Sequence, residues 1–345
     1  NYASLSLAST RNVTSTLSGC TIGTFYGGGS LGAVNAPVNS TLTNCTVTGS
    51  AFGAGFSASV PTVEVWNKSA YLDPNPTYNR TANVYNNANV KTPKDNNQYV
   101  VYTWSKTHGS NANPLIDTED GKHYIHTDVS LDGLGAVSGN VTLTLNGATT
   151  VGESVYGGGE ESGVGGNTTV VVESGTIGVQ GEGGAEYGNV YGGGKGKADD
   201  KLAGLVKGNT NVTISQTEDR TTKIYHNIYG GGAYGSVGEF DYADESYHTS
   251  HPEVAVGMPK GRKDGATGGN CTVTITGGTI GTNGRENGMV FGSSRGDVSA
   301  PVGDVNPIDP NDYLAWVYDT HVIIGTSGSD DGPQINGSVY GSGEN

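Results

Sequence analysis

Basic residues are scarce in this 345-residue chain: 18 Lys and Arg stand against 33 Asp and Glu, a formal net charge of −15. No Lys/Arg block occurs, so a nucleic-acid backbone or an anionic lipid surface is repelled and not gathered. Cysteine is scarce as well. Three residues, Cys20, Cys45 and Cys271, with no C-x-x-C pair, exclude a disulfide-stapled miniprotein. Apolar runs last only a few residues, which excludes a membrane-spanning helix. Charged residues of both signs make up 15% of the chain, against roughly 25% in an average soluble domain.

Glycine is what the chain has in excess, at 58 residues. Each glycine costs about 0.5–1 kcal/mol relative to alanine inside a helix, so a helical bundle is excluded. Collagen is excluded because the glycines cluster in twos and threes and do not recur at every third residue. Disorder does not fit the regular β-branched strings between them.

Those strings belong to a repeat. One phrase reads Phe25-Tyr26-Gly27-Gly28-Gly29, Val155-Tyr156-Gly157-Gly158-Gly159 and Val190-Tyr191-Gly192-Gly193-Gly194. It returns as Ile228-Tyr229-Gly230-Gly231-Gly232, Val290-Phe291-Gly292-Ser293-Ser294 and Val339-Tyr340-Gly341-Ser342-Gly343, with Ala51 to Gly55 as a looser copy. A second phrase precedes it, as in Cys271-Thr272-Val273-Thr274-Ile275-Thr276 leading to Gly278-Thr279-Ile280-Gly281. Here Val273 and Ile275 share one face and the threonines the other, which is strand periodicity with one dry face. A single such unit buries little, but stacked units bury a continuous column. The sequence therefore predicts an all-β parallel β-helix, or β-solenoid. Val141, Val170, Val212 and Val273 are expected in one buried column, with Leu143, Val172, Ile214 and Ile275 beside them. Tyr156, Tyr191 and Tyr229 follow inward residues, so their rings are expected to stack on the outer face.

Coils are expected at 1–56 and 140–345. Between them lies an insertion or a run of degenerate coils at 57–139, and further insertions fall at about 195–208, 233–269 and 297–318. All four follow the Tyr-Gly-Gly phrase or its variant, so in a stack that keeps register they leave one corner and decorate one edge. They also hold the unusual aromatics. Trp66, Trp104, Tyr242, Tyr247 and Trp316 are the candidate binding-edge residues, suited to a glycan or protein surface.

Taken together, Thr-Val-x-Ile-x-Gly-Gly-Thr-Ile-Gly followed by Val-Tyr-Gly-Gly-Gly resembles the large glycine-rich repeat proteins of Bacteroidota (Bacteroidales) cell surfaces. The resemblance covers nearly the whole chain outside the first insertion and carries no catalytic motif. It implies a right-handed, pectin-lyase-like β-helix that is secreted, often by the type IX route, to a bacterial cell surface or the extracellular space. The chain starts at Asn1 without a methionine or signal peptide and stops inside a recurring phrase, so it is expected to be an internal piece of a longer mature protein.

Other chemistries are weighed against this. Gly192-Gly193-Gly194-Lys195-Gly196 lacks the hydroxyl residue and helix of a phosphate loop. Acids gather in the corners (Glu160, Glu161, Asp199, Asp200, Asp241, Asp244, Glu245, Asp330, Asp331) while outward strand positions are mostly Thr, Ser and Asn, which speaks against paired catalytic carboxylates. Asp304, Asp309 and Asp312 are a calcium candidate without EF-hand spacing, since Ile308 stands where a ligand is needed; no other cofactor is expected. The pairs His123 and His126, and His248 and His251, are loop histidines more readily solvated than zinc-bound. Cys20 and Cys45 occupy equivalent places in adjacent coils, and a buried thiol pair is favoured over a disulfide. Asn-x-Ser/Thr triplets, including Asn44, Asn167, Asn211 and Asn270, arise readily in a chain this rich in Asn, Ser and Thr, so they do not establish glycosylation.

The functional expectation is a non-enzymatic structural and adhesive segment that binds, or self-assembles into fibres, through its decorated edge. The alternatives are a polysaccharide-active lyase or hydrolase on the same scaffold and a phage-type receptor-binding fibre.

Overall fold

A computed structural model describes residues 9–30, 32–57, 135–180, 187–198, 200–282, 287–296, 314–329 and 331–344, with the backbone of strands at 62–68, 78–86, 98–106, 116–117 and 124–130. Two compact units result: Ser9–Ser57 with Gly133–Asn345, and Asn1–Ala8 with Ala58–Asp132.

The larger unit is a parallel β-helix. Three seven-stranded parallel sheets run its length, and each coil gives one strand to each sheet in chain order. The first sheet holds the longer strands, Val13–Ser18, Val38–Thr43, Val141–Asn146, Thr168–Val172, Thr210–Ile214, Asn270–Ile275 and Asp319–Ile324. The second and third sheets use two-residue strands such as Thr176–Ile177 and Val190–Tyr191. Short strands suffice because glycine turns the corner between them and parallel neighbours supply every ladder bond. Val38 pairs with Val141 across the whole first insertion, so the stack keeps its register there.

The first sheet presents three inward columns. Leu17, Leu42, Leu145, Val172, Ile214, Ile275 and Ile324 form one. Leu143 stacks on Val170, Val212 and Val273 in the next. Val141 lies two residues away from its expected column: it stacks on Val38, Thr168, Thr210 and Cys271. The physical reason is that this third column accepts a hydroxyl as readily as a methyl. Thr168 Oγ1 donates to the Gly192 carbonyl at 2.5 Å and Thr210 Oγ1 to the Gly230 carbonyl at 2.6 Å, so a buried Thr costs little there.

Opposite these residues lies the first glycine of each Tyr-Gly-Gly phrase. None of Gly27, Gly53, Gly157, Gly192, Gly230 or Gly292 has a positive φ. Glycine is needed for close approach: a Cβ on Gly192 would lie 2.1 Å from the Gly230 carbonyl oxygen and 3.0 Å from Thr210 Cβ. Left-handed glycines occur instead around the second strand, at Gly175 (φ 122°) and Gly178 (φ 86°).

The cross-section has a fourth, shorter side. Single bridges link Val34, Val137, Val164, Val206 and Val237, all buried. Asparagines tie the corners: the Asn140 side-chain oxygen accepts from the Asn167 N–H at 2.9 Å, Asn167 from Asn209 at 2.8 Å, and Asn209 from Asn270 at 3.0 Å. The Asn-x-Thr triplets at Asn140, Asn167 and Asn270 thus open first-sheet strands, whereas Asn44 stands before a second-sheet strand and Asn211 lies inside a first-sheet one.

In the smaller unit the strands pair antiparallel, Tyr78–Asn86 with Gln98–Lys106 and Thr62–Lys68 with Tyr124–Ser130. Antiparallel pairing belongs to a small hairpin subdomain and not to β-helix coils.

Candidate binding edge

The insertions leave beside the valine ladder. The stretches 58–134, 195–205 and 297–313 depart between the third sheet and that ladder. The fourth departs after it, because Val237 still bridges Val206, and it runs from Glu239 to Gly268 before Asn270 starts the next first-sheet strand. Two adjacent corners on one side of the helix therefore share the load that a single corner was expected to carry.

Within the fourth insertion, Phe240–Tyr242 pairs antiparallel with Pro259–Arg262, and the helix Glu245–Ser250 sits between them. Asp244 caps that helix, its Oδ1 accepting from the Tyr247 N–H at 2.8 Å. Both expected aromatics are here, and both carry cations. The Lys201 ammonium lies 4.2 Å from the Tyr242 ring centroid, and Lys260 lies 4.7 Å from that of Tyr247. The His251 ring stacks on Tyr247 at 4.2 Å. Lys201 comes from the preceding insertion, so its contact ties two insertions together.

Trp316 is half-buried in the segment that enters the last coil. Its N–H donates to Ser236 Oγ at 3.0 Å and its carbonyl accepts from Val237 at 2.7 Å. Nearby, Arg262 covers the Tyr318 ring at 3.8 Å and donates to Asn270 Oδ1 at 3.2 Å. Trp66 and Trp104 lie on strands of the smaller unit, in register with His126 and Arg80. Asp304, Asp309 and Asp312 lie outside the described residues, as do His123, Asp199 and Asp330. Among the described residues no group of three His, Cys, Asp or Glu side chains could hold a metal. His248 and His251 each spend Nδ1 on a backbone carbonyl, of Val254 at 2.7 Å and of Tyr247 at 3.2 Å.

The aromatic phrase forms a column of its own. Tyr26, Phe52, Tyr156, Tyr191, Tyr229, Phe291 and Tyr340 stack with centroids 4.8–5.0 Å apart and planes within 5–9°. The stacking matches expectation, but the rings are not surface groups: Tyr156, Tyr191 and Tyr229 are at most 1% exposed. They lie on the outward side of the third sheet, where Ala233, Tyr234 and Met289 pack over them.

A charged row that the sequence reading did not single out runs along this column. The residues directly after successive phrases are Glu160, Lys195, Ala233, Arg295 and Glu344. Lys195 Nζ lies 3.3 Å from Glu160 Oε1, and Arg295 Nε 3.7 Å from Glu344 Oε2. The Tyr26 hydroxyl donates to Glu160, and that of Tyr229 to Glu344 at 2.6 Å. Burial first, then these carboxylates, push both phenols well above the ordinary range. The recurrence of charged residues of both signs directly after the phrase was the available signal. The corner acid Glu160 and, at the last coil, Glu344 thus fasten the ring column.

Set against known protein families, curated proteins and solved structures, the chain matches none. Among the described residues no helix is long and apolar enough to cross a membrane.

Proposed function

We propose that this chain is a non-enzymatic, structural and adhesive segment of a large secreted fibre of a bacterial cell surface or its surroundings, of the kind its repeats resemble. The observation that carries the reading is the register. Seven coils stack in order while the insertions leave beside the single valine ladder. A scaffold that keeps register through insertions of unequal length is stiff along its axis and free to vary at one edge.

Outward positions of the first sheet favour the same reading. Thr14, Asn39, Thr142, Thr169, Asn211, Thr272 and His321 fill one outward column, and Thr16, Thr41, Thr144, Val171, Thr213, Thr274 and Ile323 the next. Neither holds a carboxylate, whereas glycoside cleavage needs a pair of them. At the edge, cations already lie over Tyr242, Tyr247 and Tyr318. Contact with a glycan or protein surface there relies on charge and hydrogen bonds more than on bare ring faces.

The test removes residues 239–268 and joins Gly238 to Gly269. Val237 and Asn270 stay in their ladders, so the β-helix is expected to unfold at an unchanged denaturant midpoint. Binding to glycan- or protein-coated surfaces, or self-assembly, is expected to fall. Undiminished binding and assembly overturn the edge; cleavage of an acidic polysaccharide that one carboxylate substitution abolishes replaces the proposal with the enzyme reading.

A further inference from the structure

The first two coils bring two thiols together. Cys20 immediately precedes Thr21, Cys45 immediately precedes Thr46, and these threonines are paired neighbours in the second sheet. The backbone is fixed at that point, with the Thr46 N–H donating to the Cys20 carbonyl at 2.8 Å. The two Sγ atoms lie 3.4 Å apart, in hydrogen-bond contact and unbonded. Cys45 is buried, and Cys20 is half-buried at the corner.

We propose that Cys20 and Cys45 form a redox-active dithiol site whose reactant is a small-molecule disulfide of the glutathione class and whose product is a covalent staple between the first two coils. The half-buried thiol reacts first. Cys20 Sγ, as thiolate, attacks one sulfur of the disulfide; one glutathione thiolate leaves and takes up a proton. Cys45 Sγ then loses its proton and attacks Cys20 Sγ in the mixed disulfide, releasing the second glutathione. The two protein thiols are oxidised by two electrons, and one glutathione disulfide is reduced to two thiols. Stacked coils favour the second step because the resolving sulfur is already in contact with its target.

The hydrogen bond with Cys45, then burial, holds the Cys20 thiol above its ordinary range, so the first step quickens as pH rises. Cys271 is the internal reference. It is buried at 1% exposure with its thiol pushed up to about 12 by burial, and it should stay reduced throughout.

The test incubates the full chain with oxidised glutathione at mildly alkaline pH, then counts thiols after unfolding in acid. The count is expected to fall from the three free thiols to one, with a peptide joining Cys20 to Cys45 and full recovery on reduction. In Cys271→Ser the count should fall to zero; in Cys20→Ser, a conservative change at a half-buried position, it should not fall. Amide exchange over Val13–Tyr26 should slow roughly a hundredfold in the oxidised protein, since the staple closes a short loop. A count that stays at three, or glutathione retained on Cys20 with Cys45 free, overturns the site. A linked pair with unchanged exchange overturns the staple.

Discussion

In the coils, aromatic rings rest on one another: Tyr191 has Tyr156 at 4.9 Å on one side and Tyr229 at 4.8 Å on the other. In the fourth insertion, each ring has a partner of a different kind, a lysine over Tyr242 and a lysine and a histidine on Tyr247. The coil rings are interchangeable, with Phe52 and Phe291 serving where tyrosines serve elsewhere. The insertion rings are not, because each depends on one particular cation. Repetition makes packing generic and cumulative, so a coil tolerates any ring of the right shape. An insertion built from single contacts can diverge without disturbing the stack. That separation suits a stiff scaffold with a variable edge.

Removing one ring from each set separates the two regions. Tyr191→Ala empties a fully buried site between two stacked rings and is expected to cost about 3–5 kcal/mol. Tyr247→Ala, in the insertion, is expected to cost about 1 kcal/mol or less, since it gives up one cation contact and one stacking partner. Denaturant unfolding of both variants measures the difference. Equal losses would mean that the insertion is as integral to the core as the coils are.

Much of the coil was readable in advance, for physical reasons that also mark where reading stops. Period-two alternation tells which side of a sheet Tyr191 faces, but not that Tyr234 and Met289 from other coils roof that side. The column of Val141 was misread because its neighbours are Thr168, Thr210 and Cys271, and aligning strands by their first valine shifts the register by two. Val137 and Val164 gave no strand signal, since each forms a one-residue bridge and a single residue has no period. At the edge, Tyr242 and Tyr247 could be picked out as unusual residues, whereas the lysines over them depend on loop paths that carry no repeat.

At glycine, the coil interior demands closeness and the corners do not. Gly192→Ala would drive a methyl against the Gly230 carbonyl oxygen, 2.1 Å from an ideal Cβ. The cost is expected at roughly 1–3 kcal/mol, the range for overpacking a tight interior. Gly23 is the matched control: it meets nothing within 4 Å, and its φ is not positive. Gly23→Ala should stay within about 0.5 kcal/mol of the parent protein. A large loss at Gly23 as well would mean that glycine serves here through backbone freedom and not through close approach.

The smallest expected effect is one of pH and tests whether the coil corners are as dry as the ladders suggest. His226 lies at the corner before the strand Ile228–Tyr229, with Nδ1 placed 2.6 Å from Asn189 Oδ1, to which it donates. The Asn227 N–H donates to the same oxygen at 3.1 Å and the Met289 N–H to Asn227 Oδ1 at 2.9 Å. The imidazole therefore sits against a second set of asparagine contacts, at a different corner from Asn140, Asn167 and Asn209. Burial lowers its pKa below the ordinary 6.5; the carboxylate of Glu344 opposes that shift and Arg295 adds to it. With the folded value depressed, the unfolded chain binds the proton more readily. The neutral histidine therefore supports the fold fully above pH 6.5, and that support is lost as pH falls through the folded value. His226→Gln keeps a donor for Asn189 and removes the titration. Unfolding measured from neutral pH downward should show a shallower decline in this variant than in the parent. If the two curves run parallel below pH 6.5, the corner admits the proton at no cost.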